Sequence, residues 1–309
     1  MGKKFTDISK LIKKIKNKIK LYVFDYDGTI FDIKDKKFGH KKAFLLIKKV
    51  LLKNNSCLIL TARCASFIGL HIKNLEKVYK NNQSIKPIFI GGGNGSILYK
   101  YSRDGLIKIY DNGFSFLETK KIMQLGIKIY DNLKITSTDL NELGIKIHRS
   151  FLKKNWPKLI PNTFMKENKL YKGICFSEEA KVAFVLPDNI NTHKKIVNLF
   201  KNKIKQNLSY KYSVVKGDDI FLQINRTSLI DQKLSALKTI VKKLTLNKDQ
   251  VFIFGNMPCD NDKGILIESQ FPYTFTNSKS FYIEKQKQPP YYLGSGVKSI
   301  HDFVIKSLQ

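Results

Sequence analysis

One stretch limits what this chain can fold into more than any other: Leu21-Tyr22-Val23-Phe24-Asp25-Tyr26-Asp27-Gly28-Thr29. Four apolar residues in a row suit a strand buried on both faces. Two carboxylates follow, two positions apart, then Gly28 and Thr29. Along an extended chain, positions i and i+2 point to the same side. Asp25 and Asp27 are therefore expected together at the carboxyl end of a buried strand, where open α/β sheets bind ligands. Carboxylates held that close repel unless a cation or a shared proton relieves them. A hard cation such as Mg²⁺ does so through oxygen ligands and commonly brings a phosphate with it. The plainer alternative is a strand that ends in an Asp-rich turn, with Gly28 as the turn residue.

The length of 309 residues and the 42% hydrophobic content suffice for one large domain or two modest ones. No apolar run approaches the roughly 18 residues that span a bilayer, and no apolar signal core opens the chain. The expectation is a soluble, cytoplasmic protein. Cys57, Cys64, Cys175 and Cys259 have no metal-ligand spacing and no dense disulfide pattern, so reduced thiols are expected. The formal charge of +31 invites a nucleic-acid reading. Against it, four of the 56 basic residues are arginine (Arg63, Arg103, Arg149 and Arg226), whereas phosphate readers favour the bidentate arginine fork. The abundance of Lys, Asn and Ile has the look of AT-rich coding bias. The charge is better suited to steering small anionic substrates. Nothing in the sequence sets the oligomeric state.

Residues 1–20 form a basic amphipathic segment in which Ile8, Leu11, Ile12, Ile15 and Ile19 recur at helical spacing. A helix laid on the core is the favoured reading; peripheral contact with a membrane surface is the other. The opening Met1-Gly2-Lys3-Lys4-Phe5-Thr6 also fits the loose N-myristoylation pattern. A helix is expected over Lys41 to Lys53. Next comes a buried strand ending in Thr61, within Ser56-Cys57-Leu58-Ile59-Leu60-Thr61-Ala62-Arg63. Residues 65–82 read as a helix and Pro87–Ile90 as a strand entering Gly91-Gly92-Gly93-Asn94-Gly95. From 99 to 225 short strands (Leu106–Tyr110, Ile145–Phe151, Val182–Leu186, Ile220–Ile224) alternate with helices, the clearest being Ile190 to Asn207. That mixture reads as an α+β domain. His148, His193 and Trp156 fall here and are read as structural. A helix opens at Asp231-Gln232-Lys233-Leu234-Ser235-Ala236-Leu237. The strand Val251–Phe254 then enters Gly255-Asn256-Met257-Pro258-Cys259-Asp260-Asn261-Asp262.

These stretches, in this order, resemble the signatures of the haloacid dehalogenase-like (HAD) hydrolases. Asp25-Tyr26-Asp27-Gly28-Thr29 resembles the first, the strand-end Thr61 the second, Lys233 with Ala236-Leu237 the third, and Gly255-Asn256 through Asp260 the fourth. The Asn-Gly turn before residue 99 is similar to that of the Cof-like and sucrose- and trehalose-phosphate phosphatase branches, and the Tyr273–Asn277 strand and the helix from Val297 to Ser307 resemble the closing elements of the Cof-like branch. The resemblance implies an α/β fold, a doubly wound parallel sheet formed by 21–98 and 226–309, with an inserted α+β cap over 99–225.

It also implies roles. Asp25 is the nucleophile and Asp27 the general acid/base, while Thr61 and Lys233 hold the transferred phosphoryl group. Gly28, Thr29, Arg63 and Asn94 are expected on the substrate side, although Arg63 could equally pair with a carboxylate. Asp25, Asp27, Asn256 and Asp260 are the implied Mg²⁺ ligands. The family carries an acid where Asn256 stands; an amide oxygen can still ligate Mg²⁺ but brings no charge, and Asp262 offers compensation. The expected activity is Mg²⁺-dependent hydrolysis of a small phosphorylated metabolite, a sugar phosphate, through an aspartyl-phosphate. The alternatives are a phosphomannomutase-like phosphotransferase and a catalytically weakened HAD-like binding protein.

Overall fold

All five residues of the strand β1 (Leu21–Asp25) are buried, as a run without polar alternation requires. The computed structural model describes residues 10–13, 15–32, 34–82, 84–146, 174–178, 180–207, 212–217, 220–226, 229–259, 261–279 and 290–309. After β1 come α1 (His40–Leu52), β2 (Ser56–Leu60), α2 (Ala65–Asn81), β3 (Ile88–Gly92), β4 (Ile97–Ser102) and β5 (Gly105–Asp111). Then follow α3 (Phe116–Asn132), β6 (Cys175–Glu178), β7 (Lys181–Val185), α4 (Ile190–Asn207), β8 (Tyr212–Gly217) and β9 (Phe221–Arg226). The chain closes with α5 (Leu229–Lys243), β10 (Val251–Gly255), β11 (Thr274–Thr276), β12 (Tyr291–Tyr292) and α6 (Val297–Ser307).

An eight-stranded sheet runs in the order β12-β11-β10-β1-β2-β3-β4-β5. Its strands are parallel from β12 to β3; β4 and β5 add an antiparallel edge. The chain leaves β1 toward β2 and returns on the other side as β10. β1 is thus the point where strand order reverses, and the crevice at its carboxyl end is the natural ligand position. Residues alternate between two cores. Tyr22, Phe24, Ile59, Ile90, Phe252 and Phe254 face one; Leu21, Val23, Leu58, Phe89, Val251 and Ile253 face the other. Both faces are covered, as an all-apolar strand demands.

The described part of the N-terminal segment turns its apolar stripe inward: Ile12, Ile15 and Ile19 are buried in the first of these cores. That stripe is spent on packing. Residues 1–9, with the myristoylation pattern, lie outside the described residues. Among the described residues no helix is long and apolar enough to cross a membrane.

The chain divides into two compact units, residues 1–111 with 230–309, and 112–229. The sequence division at 98/99 differs because β4 and β5 pair onto β3 and extend the first sheet. The strand expected at Leu106–Tyr110 therefore belongs to that sheet and not to the insert. The insert carries its own antiparallel sheet, β6-β7-β9-β8. The strand expected at Ile145–Phe151 is not formed where it can be seen. Residues 142–146 are helical, and the rest, with His148 and Trp156, lie outside the described residues. His193 is buried and bonds the carbonyl of Pro187 at 2.7 Å.

In the insert, Gly126 of α3 sits against Phe184 and Phe200. An added Cβ would meet both rings, with Phe200 Cζ at 2.9 Å and Phe184 closer. Both rings are fully buried, so neither moves cheaply. Gly126→Ala is expected to destabilise the protein by about 1–3 kcal/mol despite alanine's better helix propensity. Chemical denaturation measures this directly.

Candidate active site

Asp25 ends β1, and the parallel register sets it beside Leu60, the last residue of β2. Its side chain is 6% exposed. The Lys233 ammonium reaches it from α5: Nζ donates to Asp25 Oδ1 at 2.7 Å and to Asp262 Oδ1 at 2.7 Å. Lys233 and Asp262 side chains are both 0% exposed. One buried cation thus holds two buried carboxylates. Burial, reinforced by the Asp262 charge and opposed by Lys233, pushes the Asp25 carboxyl up to about 7. Burial alone would lower Lys233, but the charges of Asp25 and Asp262 outweigh it and hold the ammonium above its ordinary value. A lysine is expensive to bury and stays charged only when paired.

The turn after β1 is built around the nucleophile candidate. Gly28 takes φ +73°, which glycine adopts without strain. Thr29 is fully buried and donates its hydroxyl to Asp25 Oδ2 at 3.0 Å. Its hydroxyl is therefore placed to orient Asp25. Asn277, just after β11, donates Nδ2 to the Gly28 carbonyl at 2.8 Å. No sequence signal marked Asn277 beyond its place after a strand.

Asp27 faces the other way. Arg63 grips it with a fork: Nε donates at 3.0 and 2.9 Å to the two carboxylate oxygens, and Nη2 donates to Oδ1 at 2.7 Å. The Arg63 guanidinium lies 5.5 Å over the Phe31 ring, which stacks on His40 at 4.1 Å. Of the two readings of Arg63, the structure shows a carboxylate partner, and that partner is Asp27. Both side chains are about a third or more exposed, so the pair adds little to stability.

Thr61 is fully buried immediately after β2. Its Oγ1 accepts from Arg63 N at 3.0 Å, and its carbonyl accepts from Asn94 N at 2.7 Å. Asn94 has a left-handed backbone, φ +60°, and a buried Oδ1 that no group among the described residues satisfies. The Gly-Asn-Gly turn after β3 thereby holds the end of β2.

The fourth stretch differs most from its sequence reading. Asp262 Oδ2 accepts from the backbone N–H groups of Asn256 and Met257, both at 3.0 Å. The loop after β10 is wound around this carboxylate, and Asp262 partners Lys233. Asp262 therefore serves the lysine and the loop. Asp260 lies outside the described residues.

Among the described residues, no three His, Cys, Asp or Glu side chains form a ready metal cage. Oxygen atoms do gather. One end of the Asn256 carboxamide faces Asp25 Oδ2 at 3.1 Å, Asp262 Oδ2 at 3.3 Å and the Asp27 carbonyl at 3.3 Å. Hard oxygen donors suit Mg²⁺ in type. Asp27 enters this set through its main-chain oxygen, because its carboxylate is held by Arg63.

The model of the haloacid dehalogenase-like hydrolases matches residues 22–286. A comparison with curated protein sequences finds no match. A Plasmodium vivax protein assigned to the HAD/COF-like hydrolases superposes with TM-score 0.61 at 19% identity, over 97% of this chain and 98% of that one. A haloacid dehalogenase-like hydrolase from Bacteroides thetaiotaomicron gives 0.62 at 12% identity, over 93% and 99%. An N-terminally truncated Plasmodium falciparum IMP-nucleotidase gives 0.51 at 15%, over 96% and 72%. At these identities the structural likeness speaks for the fold.

Proposed function

Since the chain belongs to the haloacid dehalogenase-like hydrolases, we propose that it hydrolyses the phosphate monoester of a small metabolite, a sugar phosphate, with Asp25 as nucleophile. The observation that carries this reading is the buried Asp25–Lys233–Asp262 cluster at the strand-order reversal of the sheet. Three ionisable side chains do not converge in a core for stability, because a buried ion pair rarely outperforms apolar packing.

Asp25 attacks phosphorus through a carboxylate oxygen, the P–O bond to the alcohol breaks, and an aspartyl-phosphate forms. A covalent intermediate splits one slow step into two faster ones. Lys233, fixed 2.7 Å from Asp25 Oδ1, opposes the charge collecting there. Thr61 offers its hydroxyl hydrogen to a phosphoryl oxygen. Asp27 gives a proton to the departing alkoxide, then takes one from the water that hydrolyses the intermediate. The Arg63 fork occupies the Asp27 carboxylate, so Arg63 has to release it before it can take up a proton from solvent and pass it on; an anionic substrate supplies the competing partner. Asp25 Oδ2, the Asp27 carbonyl and Asn256 Oδ1 would hold Mg²⁺, which when bound neutralises charge on the transferring phosphoryl group.

The test is phosphate release from a panel of sugar phosphates and other phosphorylated metabolites, with and without Mg²⁺. Release from at least one sugar phosphate is expected. Asp27→Asn should slow it by about 10²–10⁴-fold, as for a lost general acid/base. If no panel member is hydrolysed, or the Asp27 variant matches wild type, the assignment fails.

A further inference from the structure

Asn256 stands at the meeting point of three acceptors. Asp25 Oδ2, Asp262 Oδ2 and the Asp27 carbonyl all lie 3.1–3.3 Å from the same terminal atom of its carboxamide. An oxygen placed there would face three other lone-pair donors, and its one neighbouring donor, the Thr29 hydroxyl at 3.4 Å, already gives its hydrogen to Asp25 Oδ2 at 3.0 Å. A nitrogen placed there supplies two N–H groups instead. The other end of the carboxamide lies over Gly28, where any Cβ would collide with it. Only glycine leaves room for this side chain. The loop is anchored independently, since Asn256 N and Met257 N both donate to Asp262 Oδ2 at 3.0 Å. The amide is therefore delivered to the oxygen cluster by backbone that is itself bonded to Asp262.

We propose that Asn256 is a built-in stand-in for the cation: its amide N–H groups close the oxygen cluster, and a divalent cation enters only when the amide turns its N–H groups away. The inference rests on reading this cluster as the cation site. Oxygens that converge on a shared point need either a positive ion or hydrogen-bond donors between them. A carboxylate at 256 would supply neither and would demand a metal. The amide supplies donors, so the folded, metal-free cluster is satisfied by the chain itself. Turning the amide exchanges donors for one oxygen ligand. Cation binding thus competes with an internal contact, and the site binds more weakly than its oxygen count suggests.

Two variants of the full-length protein test this by melting temperature and calorimetry, in EDTA and in Mg²⁺. Asn256→Asp removes the donors and adds a charge. It should melt below wild type in EDTA, gain more than wild type from Mg²⁺, and bind Mg²⁺ at least about tenfold more tightly, the lower end of what even outer-sphere partners contribute. Asn256→Ala removes the donors without adding charge. It too should melt below wild type in EDTA and recover part of that loss in Mg²⁺. Metal-free variants as stable as wild type would overturn the proposal. So would a deficit that Mg²⁺ does not narrow, because the cluster would then not be a cation site. Neither readout requires turnover, so the proposed hydrolysis stands or falls separately on phosphate release and on the Asp27 variant.

Discussion

Asp25→Asn is expected to abolish phosphate release, with a loss on the order of 10⁴–10⁶-fold, the range found when one member of a nucleophilic unit is deleted. An amide oxygen is a poor nucleophile and cannot leave as a carboxylate when water arrives. The substitution is nearly isosteric. The amide oxygen of the variant can still accept from Lys233, whose Nζ sits 2.7 Å from the Asp25 oxygen being replaced, so the fold should survive. Two measurements separate chemistry from folding. Wild type mixed with substrate and quenched in acid should show a phosphorylated protein mass, and the variant should not. Circular dichroism should superpose for both. A folded Asp25→Asn protein with wild-type turnover would mean that the reaction uses a different nucleophile.

Lys233→Met is expected to be the most destabilising single change at the site. Lys233 is fully buried between Asp25 Oδ1 and Asp262 Oδ1, each 2.7 Å from Nζ. Methionine fills much of the volume but leaves two buried carboxylates facing each other without a cation. Breaking a buried pair in this way costs about 3–5 kcal/mol, a large share of the roughly 5–15 kcal/mol that holds a protein folded. The pH dependence identifies the cause. In the folded protein burial and the Asp262 charge already raise Asp25 to about 7, above its ordinary carboxylate value. A raised carboxyl pKa means that the folded state holds more protons, so its contribution is present at low pH and lost as pH rises toward neutrality. Without Lys233 the opposing effect disappears and this loss deepens. The deficit of Lys233→Met relative to wild type should be smaller at pH 5 than at pH 8. Equal deficits at both values would show that lost packing, and not charge, is responsible.

The strands at the centre of the parallel sheet were the most legible in the sequence. β1, β2 and β10 are near-continuous apolar runs, and a strand buried on both faces has little other composition available. Helices α1 and α4 were readable from their apolar stripes, which repeat at the helical period, and α6 from its resemblance to the closing helix of the Cof-like branch. The edges were less legible. β5 carries exposed Leu106 and Ile107, so its residues gave no hint of joining the main sheet. In the insert, β6 and β8 are short strands whose residues did not stand out from their neighbours. Their pairing to β7 and β9 defines them, and such pairing has no local signature.

At the site, the residue types and their order were readable in the chain: two acids after a buried strand, a hydroxyl after another, a lysine opening a helix, and an amide in the loop after a fourth strand. Those are local facts, set by spacing and by strand or helix period. Which of these groups touch was decided only by the folded chain. Asp262, six residues beyond Asn256, holds Lys233 because the intervening loop winds its N–H groups onto Oδ2. Asp27 is gripped by Arg63 because β1 and β2 end side by side. Thr29 faces inward to Asp25, and Asn256 meets three oxygens over Gly28. Hydrogen bonds act over about 3 Å, whereas a motif constrains only the order of residues along the backbone. The partner each side chain finds at that range depends on how strands far apart in sequence are brought into register.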